Sequence, residues 1–456
     1  MNLIRYGWKM VILCAFMVHQ EDAATCPYKC NCDSNYEVVD CRSRRLSIVP
    51  RGIPKTVRSL RLSFNTISYI SKADVIGLKE IRVLTLNGNN LRTVDREVLC
   101  EMPKITILNT NNNKISNLAP DVFSCLENLR DISLGENFLT SLHSEWIVAS
   151  ENLISFKMRG NMLTEIGPGM FLNSIRLVDL SNNNISTIRA NAFSKLYIIG
   201  HFSLRENSLE EIQVENFREL RCVTLDLAAN NISIIHDGAF KENQKLKTLQ
   251  LSGNKISSLR EDMFHGMNKS FLLNLQDNII SSVEDGVFQS LNRLRFLNLQ
   301  GNSLSSLNRS TFTGLPRLHL LYLRGNKLSE IRTGTFSYLL GIRSLDLSEN
   351  HLTRIDGDSF NNLTHLISLK LSMTQCSCER IQNLLSSSNH IGQIHLDCHR
   401  SSFVNSPLEY IGVHGKIGAD TKMVLISDFD HATSILGWIS FLLTLQDIIM
   451  RLSVWS

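Results

Sequence analysis

The chain has 456 residues, 43% of them hydrophobic, with a formal net charge of +4 and 11 cysteines. It is too apolar for a disordered chain, too long for a disulfide-stapled miniprotein and too weakly charged to argue for nucleic-acid binding. With 8 Pro and 24 Gly it is neither collagen-like nor linker-rich.

Arg5 and Lys9 precede an apolar run from Met10 to Val18, and the small residues Ala23, Ala24 and Thr25 follow. Residues 1–25 therefore read as a secretory signal, the run being too short for the ~20 residues of a membrane span. Its removal takes away Cys14 and implies an oxidising destination.

One period organises the middle of the chain. Asn recurs at 65, 89, 113, 137, 161, 183, 207, 230, 254, 278, 302, 326 and 350, and ten of the twelve intervals are 24. The apolar positions around Asn302 are Leu294, Leu297, Leu299 and Leu304. This is L-x-x-L-x-L-x-x-N-x-L, the leucine-rich repeat signature. The two leucines one residue apart share one face of a short strand and point into a core. The Asn amide satisfies backbone groups where the chain turns inward, so stacked repeats form an asparagine ladder. Ten residues after the ladder position stand Phe123, Phe171, Phe193, Phe217, Phe240, Phe264, Phe288, Phe312, Phe336 and Phe360, with Val75, Leu99 and Ile147 in the other repeats. These residues are expected to fill the convex half of the core.

The expected fold is an α/β leucine-rich-repeat solenoid. It is a curved horseshoe with a concave parallel sheet, an irregular or short-helical convex side, and a disulfide-bonded N-terminal cap. Fourteen strands at ~4.8 Å spacing give a sheet on the order of 65 Å along its arc. Such stacks need capped ends. Counting one period of 24 back from Asn65 reaches Cys41, within the cluster Cys26, Cys30, Cys32 and Cys41. Four close cysteines can ligate zinc, but a secretory signal favours disulfides. One period beyond Asn350 stands Thr374, and Cys376 and Cys378 just after it mark the other end. The expected organisation is signal 1–25, cap 26–54, about 14 repeats over 55–375, a partial cysteine flank over 376–400, and a tail over 401–456. The tail has small residues at Gly418 and Ala419 and an apolar stretch from Ile435 to Leu445. It reads either as a poorly structured tail or as a C-terminal lipid-anchor signal, the chain's only expected route to a membrane.

The flank Cys26-Pro27-Tyr28-Lys29-Cys30-Asn31-Cys32 with Val39-Asp40-Cys41, and the repeats through Leu371, resemble animal extracellular leucine-rich-repeat proteins of the typical 24-residue subfamily. Their flanks and repeats occur in Slit-type guidance proteins, in Toll-like ectodomains, and in receptors with leucine-rich repeats and immunoglobulin-like domains. The last group is the most similar. The resemblance implies pairing of Cys26 with Cys32, Cys30 with Cys41, and Cys376 with Cys398. The C-terminal flank departs from the family pattern, because Cys376, Cys378 and Cys398 have no fourth partner. Cys222 replaces the first Leu of its frame and reads as a buried, inert thiol. Cys100 and Cys125 occupy near-equivalent positions in adjacent repeats, where a disulfide or two free thiols are both open; the disulfide is the working expectation.

The third, fifth and seventh frame positions are expected to face solvent on the concave strand. Most hold polar residues. Three consecutive repeats instead carry Leu272, Phe296 and Leu320 at the third position, with Asn274, Asn298, Tyr322 and Arg324 beside them. An apolar and aromatic row with polar neighbours resembles a protein-binding hot spot, against the alternative of scattered exposed apolar residues. Lys157, Arg159, Asp179, His201 and Arg205 form a second, mixed-charge patch that reads as a solvated face. Glycosylation sequons begin at Asn184, Asn231, Asn268, Asn308 and Asn362.

No phosphate-binding Gly loop, G-x-S-x-G, H-E-x-x-H or further metal-ligand set is found, so no enzyme, cofactor or metal site is expected. The expected function is an extracellular module binding a protein ligand or receptor, for ligand recognition, adhesion or co-receptor modulation, either secreted or held at the cell surface. The alternative is a structural matrix component.

Overall fold

Leucines spaced by two on a strand bury together only when the next repeat supplies a matching pair. The computed structural model describes residues 26–171, 175–193, 199–356, 358–360, 362–373 and 393–398. Fourteen parallel strands follow one another in sequence order from Ser59–Arg61 to Ser368–Met373. Register is maintained by the inward leucines: Leu273, Leu297, Leu321 and Leu345 are successive partners, and all are fully buried. The sheet ends at one side in the antiparallel pair Asn31–Cys32 with Val38–Asp40, and at the other in Gln393–Cys398 paired with Ser368–Met373. The described residues lie within one compact unit.

The asparagine ladder is built as the sequence predicts. Asn302 Nδ2 donates to Leu275 O and Leu299 O at 3.0 Å each, and its Oδ1 accepts the Ile280 N–H at 3.0 Å. One amide thus closes its own turn and ties it to the preceding one. The residue before every ladder Asn is left-handed, from Phe64 (φ 58°) to Glu349 (φ 54°). Gly301 (φ 66°) adopts this conformation freely, whereas Phe64 and Glu349 hold it at a cost of about 1–2 kcal/mol each.

On the other side of each turn the Phe side chains stack. Centroids lie 6.5 Å apart for Phe264–Phe288 and for Phe288–Phe312, and 6.0 Å apart for Phe312–Phe336. Spacing assigned Ile147 to this spine; it is buried, but the ring that meets Phe123 is Trp146, at 6.2 Å, with its Nε1 donating to Ala119 O at 3.0 Å. Helix is confined to four-residue pieces such as Lys72–Val75, Arg96–Leu99 and Glu145–Val148. Later repeats instead make two-residue parallel ladders, among them Glu211–Ile212 with Ile234–Ile235 and Glu330–Ile331 with Arg354–Ile355.

The cap departs from the expected register. Val39 pairs with Leu60 and Asp40 with Arg61, so Cys41 takes the place of the inward Leu62 rather than of Asn65. The cap turn is shorter than 24 residues, and Asn65 Nδ2 donates to the Cys41 carbonyl at 2.9 Å. Cys26 is joined to Cys32 and Cys30 to Cys41, which leaves no cap thiolate for zinc. Cys100 is joined to Cys125 with Cα atoms 5.3 Å apart. Cys222 is buried and free, and burial pushes its thiol up to about 12. Residues 1–25, Cys376, Cys378 and the tail from 401 lie outside the described residues, as does the side chain of Cys398; the signal, the Cys376–Cys398 pairing and the anchor fall there. Among the described residues no helix is long and apolar enough to cross a membrane.

Candidate protein-binding surface on the long sheet

Strand pairing brings the predicted hot-spot residues together. Leu272, Phe296 and Leu320 are successive register partners, followed by Ser344. Asn274, Asn298, Tyr322 and Asp346 form the parallel row two residues further along. Phe296, Leu320 and Tyr322 are half-buried, and Arg324 is exposed. Leu272 and Asn298 depart from the expectation of exposure: only 9% and 6% of their surfaces reach solvent. The reason is spacing, since strands ~4.8 Å apart leave less room than large third- and fifth-position side chains need, and neighbours cover one another. The Phe296 and Tyr322 rings pack edge to face at 5.4 Å.

The polar members of the row are already engaged. Asn298 Nδ2 donates to Gln276 Oε1 at 3.0 Å, and its Oδ1 accepts the Gln300 N–H at 3.0 Å. Asn274 Oδ1 accepts the Gln276 N–H at 3.1 Å. Fifth-position Asn and Asp repeat this bond down the sheet: Asn109 to the Asn111 N–H, Asp179 to Ser181, Asp226 to Ala228 and Asp346 to Ser348, each at 3.0 Å. An Asx side chain bonding the backbone two residues on ends the strand, so this column is structural before it is recognitional. The sequence carries the signal as Asn or Asp four residues before the ladder Asn.

Charge frames the aromatic pair. Arg324 is ion-paired with Glu349 of the next repeat; that bond holds the guanidinium pKa above its usual value and the Glu349 carboxyl below its own. Burial, then the Asp346 carboxylate, raises the Tyr322 phenol. Asp346 is itself buried, with Lys370 Nζ 3.7 Å away. The surface is thus a half-buried aromatic pair with an acidic and basic rim.

In the mixed-charge patch Arg159 lies between Glu136 at 3.9 Å and Glu206 at 3.7 Å, and Arg205 is 3.0 Å from Glu206. These exposed pairs satisfy one another, in keeping with a solvated face. Sequence reasoning missed Asp226, beside Arg205 and His201. Burial is the largest influence on its carboxyl and raises it, against the lowering by the Ala228 N–H, Arg205 and His201. Asn184, Asn268, Asn308 and Asn362 are exposed and Asn231 is half-buried. Asn184 and Asn231 follow ladder asparagines, and their N–H groups donate to Leu163 O and Leu209 O, at the edge of the sheet.

Comparison with known proteins gives the same architecture. The Leucine rich repeat profile matches overlapping windows covering residues 55–163 and 221–375, and a second Leucine Rich Repeat profile matches 174–196. A peroxidasin homolog of Caenorhabditis briggsae is 39% identical over 77 residues, 17% of this chain and 6% of that protein. The leucine-rich repeat and immunoglobulin-like domain-containing nogo receptor-interacting protein 3 of Mus musculus is 41% identical over 56 residues, 12% of this chain and 10% of its own length. The similarity therefore spans a small part of these relatives. Among solved structures, a leucine-rich repeat protein of Leptospira interrogans aligns with TM-score 0.58 and 23% identity over 79% of this chain and 96% of that one. The glycosylated Toll–Spatzle complex of Drosophila aligns with TM-score 0.64 and 18% identity over 80% of this chain and 55% of that chain.

Proposed function

The chain belongs to the leucine-rich repeat family, and from that premise we propose that it is an extracellular module that recognises a protein partner through the sheet face around Phe296 and Tyr322. The observation that carries this reading is the contiguous row Leu272, Phe296 and Leu320, with Tyr322 packed on Phe296. Half-buried aromatic residues held by a regular sheet lose little ordering entropy on binding, and aromatic anchors dominate interface energetics. Disulfides in the cap and between repeats support an oxidising, extracellular destination, secreted or cell-surface. Glycans at the five sequons fit the same setting, and those on Asn184 and Asn231 would steer a partner toward the later repeats. The Toll neighbour is solved as a complex with Spatzle; a protein ligand is carried to this chain as part of the proposal. Ligand recognition, adhesion or co-receptor modulation is the role.

The test is a binding screen of the secreted full chain against an array of extracellular proteins, repeated with F296A/Y322A. Saturable binding to one protein, weakened at least tenfold by the double substitution, is the expected result. Equal binding by both proteins removes the site. Association with insoluble matrix alone favours a structural matrix role.

A further inference from the structure

A second surface lies along one edge of the same sheet. Nine residues before the ladder Asn, five consecutive repeats carry Arg221, Lys245, Lys269, Arg293 and Arg317. Seven residues before it, Lys247, Arg295 and Arg343 occur, with His319 between the last two. The intervening position is buried, as at Leu246, Leu294 and Leu318. The two columns flank this buried position in the turn that leads into each strand. All eight Lys and Arg side chains are exposed. Backbone bonds link the inner column one repeat at a time: Phe271 N–H to Lys247 O, Arg295 to Phe271 and His319 to Arg295 at 2.9 Å, and Arg343 to His319 at 2.8 Å. Five strand steps of ~4.8 Å make a line about 24 Å long.

This line carries no acid in either column between Arg221 and Arg343, and none of its eight cations is in an ion pair within 4.0 Å among the described residues. Near the N-terminus the same columns are broken up: Glu80 stands in the outer one, Arg58 lies 3.2 Å from Glu37 and Lys104 2.6 Å from Glu80, and the exposed Arg82, Arg130 and Arg176 of the inner column are separated by Thr106 and Ile154. At the Arg221 end, Glu215 and Glu242 are taken up by Arg218, at 3.1 and 3.8 Å. The His319 imidazole registers the local field, for burial and then Arg343 and Arg295 push its pKa down. With a net charge of only +4, the chain is not basic overall; what distinguishes this line is the alignment of eight cations over consecutive repeats without an acid between them.

We propose that this edge binds a linear sulfated polysaccharide. A line of evenly spaced cations, one or two side chains wide, matches an extended polymer with a charge on every unit. Both columns hold a single aromatic residue, the half-buried Phe271, so the stacking platform by which single-stranded nucleic acid is held is missing. The choice of polymer rests on the extracellular setting proposed above, which the disulfides support and where the abundant polyanions are sulfated sugars. The line borders the aromatic row, Arg295 being next to Phe296 in the chain, but Lys245, Lys269 and Arg293 lie in the column farther from it, so either site can fail without the other.

The test compares two triple substitutions of equal charge in the secreted full chain, on immobilised heparin. K245E/K269E/R293E reverses the line, and K114E/K255E/K327E reverses exposed lysines just after ladder asparagines. Affinity for heparin falls at least tenfold for the first and stays within about twofold of wild type for the second, with thermal midpoints unchanged. Asn268, directly before Lys269, begins a sequon, so N268Q is expected to bind at least as tightly as wild type. Equal losses in both triples would reduce the effect to net charge and overturn the proposal, as would no loss in the first or weaker binding by N268Q. Tighter binding to single-stranded DNA or to phosphatidylserine vesicles than to heparin would overturn the sugar assignment.

Discussion

The ring of Phe296 meets the ring of Tyr322 edge to face at 5.4 Å, although Phe296 is paired in register with Leu320, two residues earlier on the adjacent strand. Diagonal contacts of this kind are within reach of aromatic side chains across neighbouring strands. An edge-to-face pair contributes about 0.5–1.5 kcal/mol beyond the area it buries. A double-mutant cycle of F296A and Y322A, read by chemical denaturation, is expected to give a coupling in that range. Strict additivity would show that the rings do not support each other in solution.

The ladder amides are expected to be individually indispensable to their turns. N302A removes two donations and leaves the Ile280 N–H without its acceptor. Orphaned buried groups cost about 1–3 kcal/mol each, so a loss on the order of 3 kcal/mol is expected. N302D retains an acceptor but loses both donations, and should be destabilising too. Hydrogen exchange at the Ile280 amide is the local readout; protection equal to wild type would contradict the assignment.

The Cys100–Cys125 disulfide joins residues 25 apart in sequence. Closing a loop of this size stabilises the folded state by roughly 3 kcal/mol in the chain-entropy account. C100S/C125S is therefore expected to unfold at a lower denaturant midpoint, with the cap disulfides intact by peptide mapping. An unchanged midpoint would show that the packing of the two repeats suffices.

Asp226 sets a pH dependence. Burial raises its folded pKa, so the folded chain binds this proton more readily than the unfolded chain. Stability from this group is fully present below the ordinary carboxylate range and is lost as pH rises through the folded value. D226N preserves the acceptor for the Ala228 N–H and is never charged. It is expected to be more stable than wild type at pH 7, with the gain vanishing near pH 3. A D226N chain less stable than wild type at pH 7 would show that the neighbouring Arg205 and His201 outweigh burial.

The repeat frame was legible because its chemistry is periodic. A buried amide at every ladder position and a ring ten residues later leave a mark that no single turn could supply, and the structure stacks Phe264, Phe288 and Phe312 accordingly. Reading failed where a period broke. Ile147 is buried as its spacing predicts, but the period did not announce Trp146, the buried ring beside it that meets Phe123. Cys41 falls at the inward Leu position because the cap closes its turn with disulfides rather than with a full repeat.

The sequence by itself determined which residues stack, since inward leucines and ladder asparagines are specified by hydrophobic burial and amide satisfaction within each repeat. Only the tertiary structure decided what the surface offers. Burial of Leu272 and Asn298, engagement of Arg324 by Glu349, and the exposure of the cations between Arg221 and Arg343 each depend on the adjacent repeat. Exposure and charge pairing are properties of neighbours ~4.8 Å apart across the sheet, and those neighbours are 22 to 25 residues away along the chain.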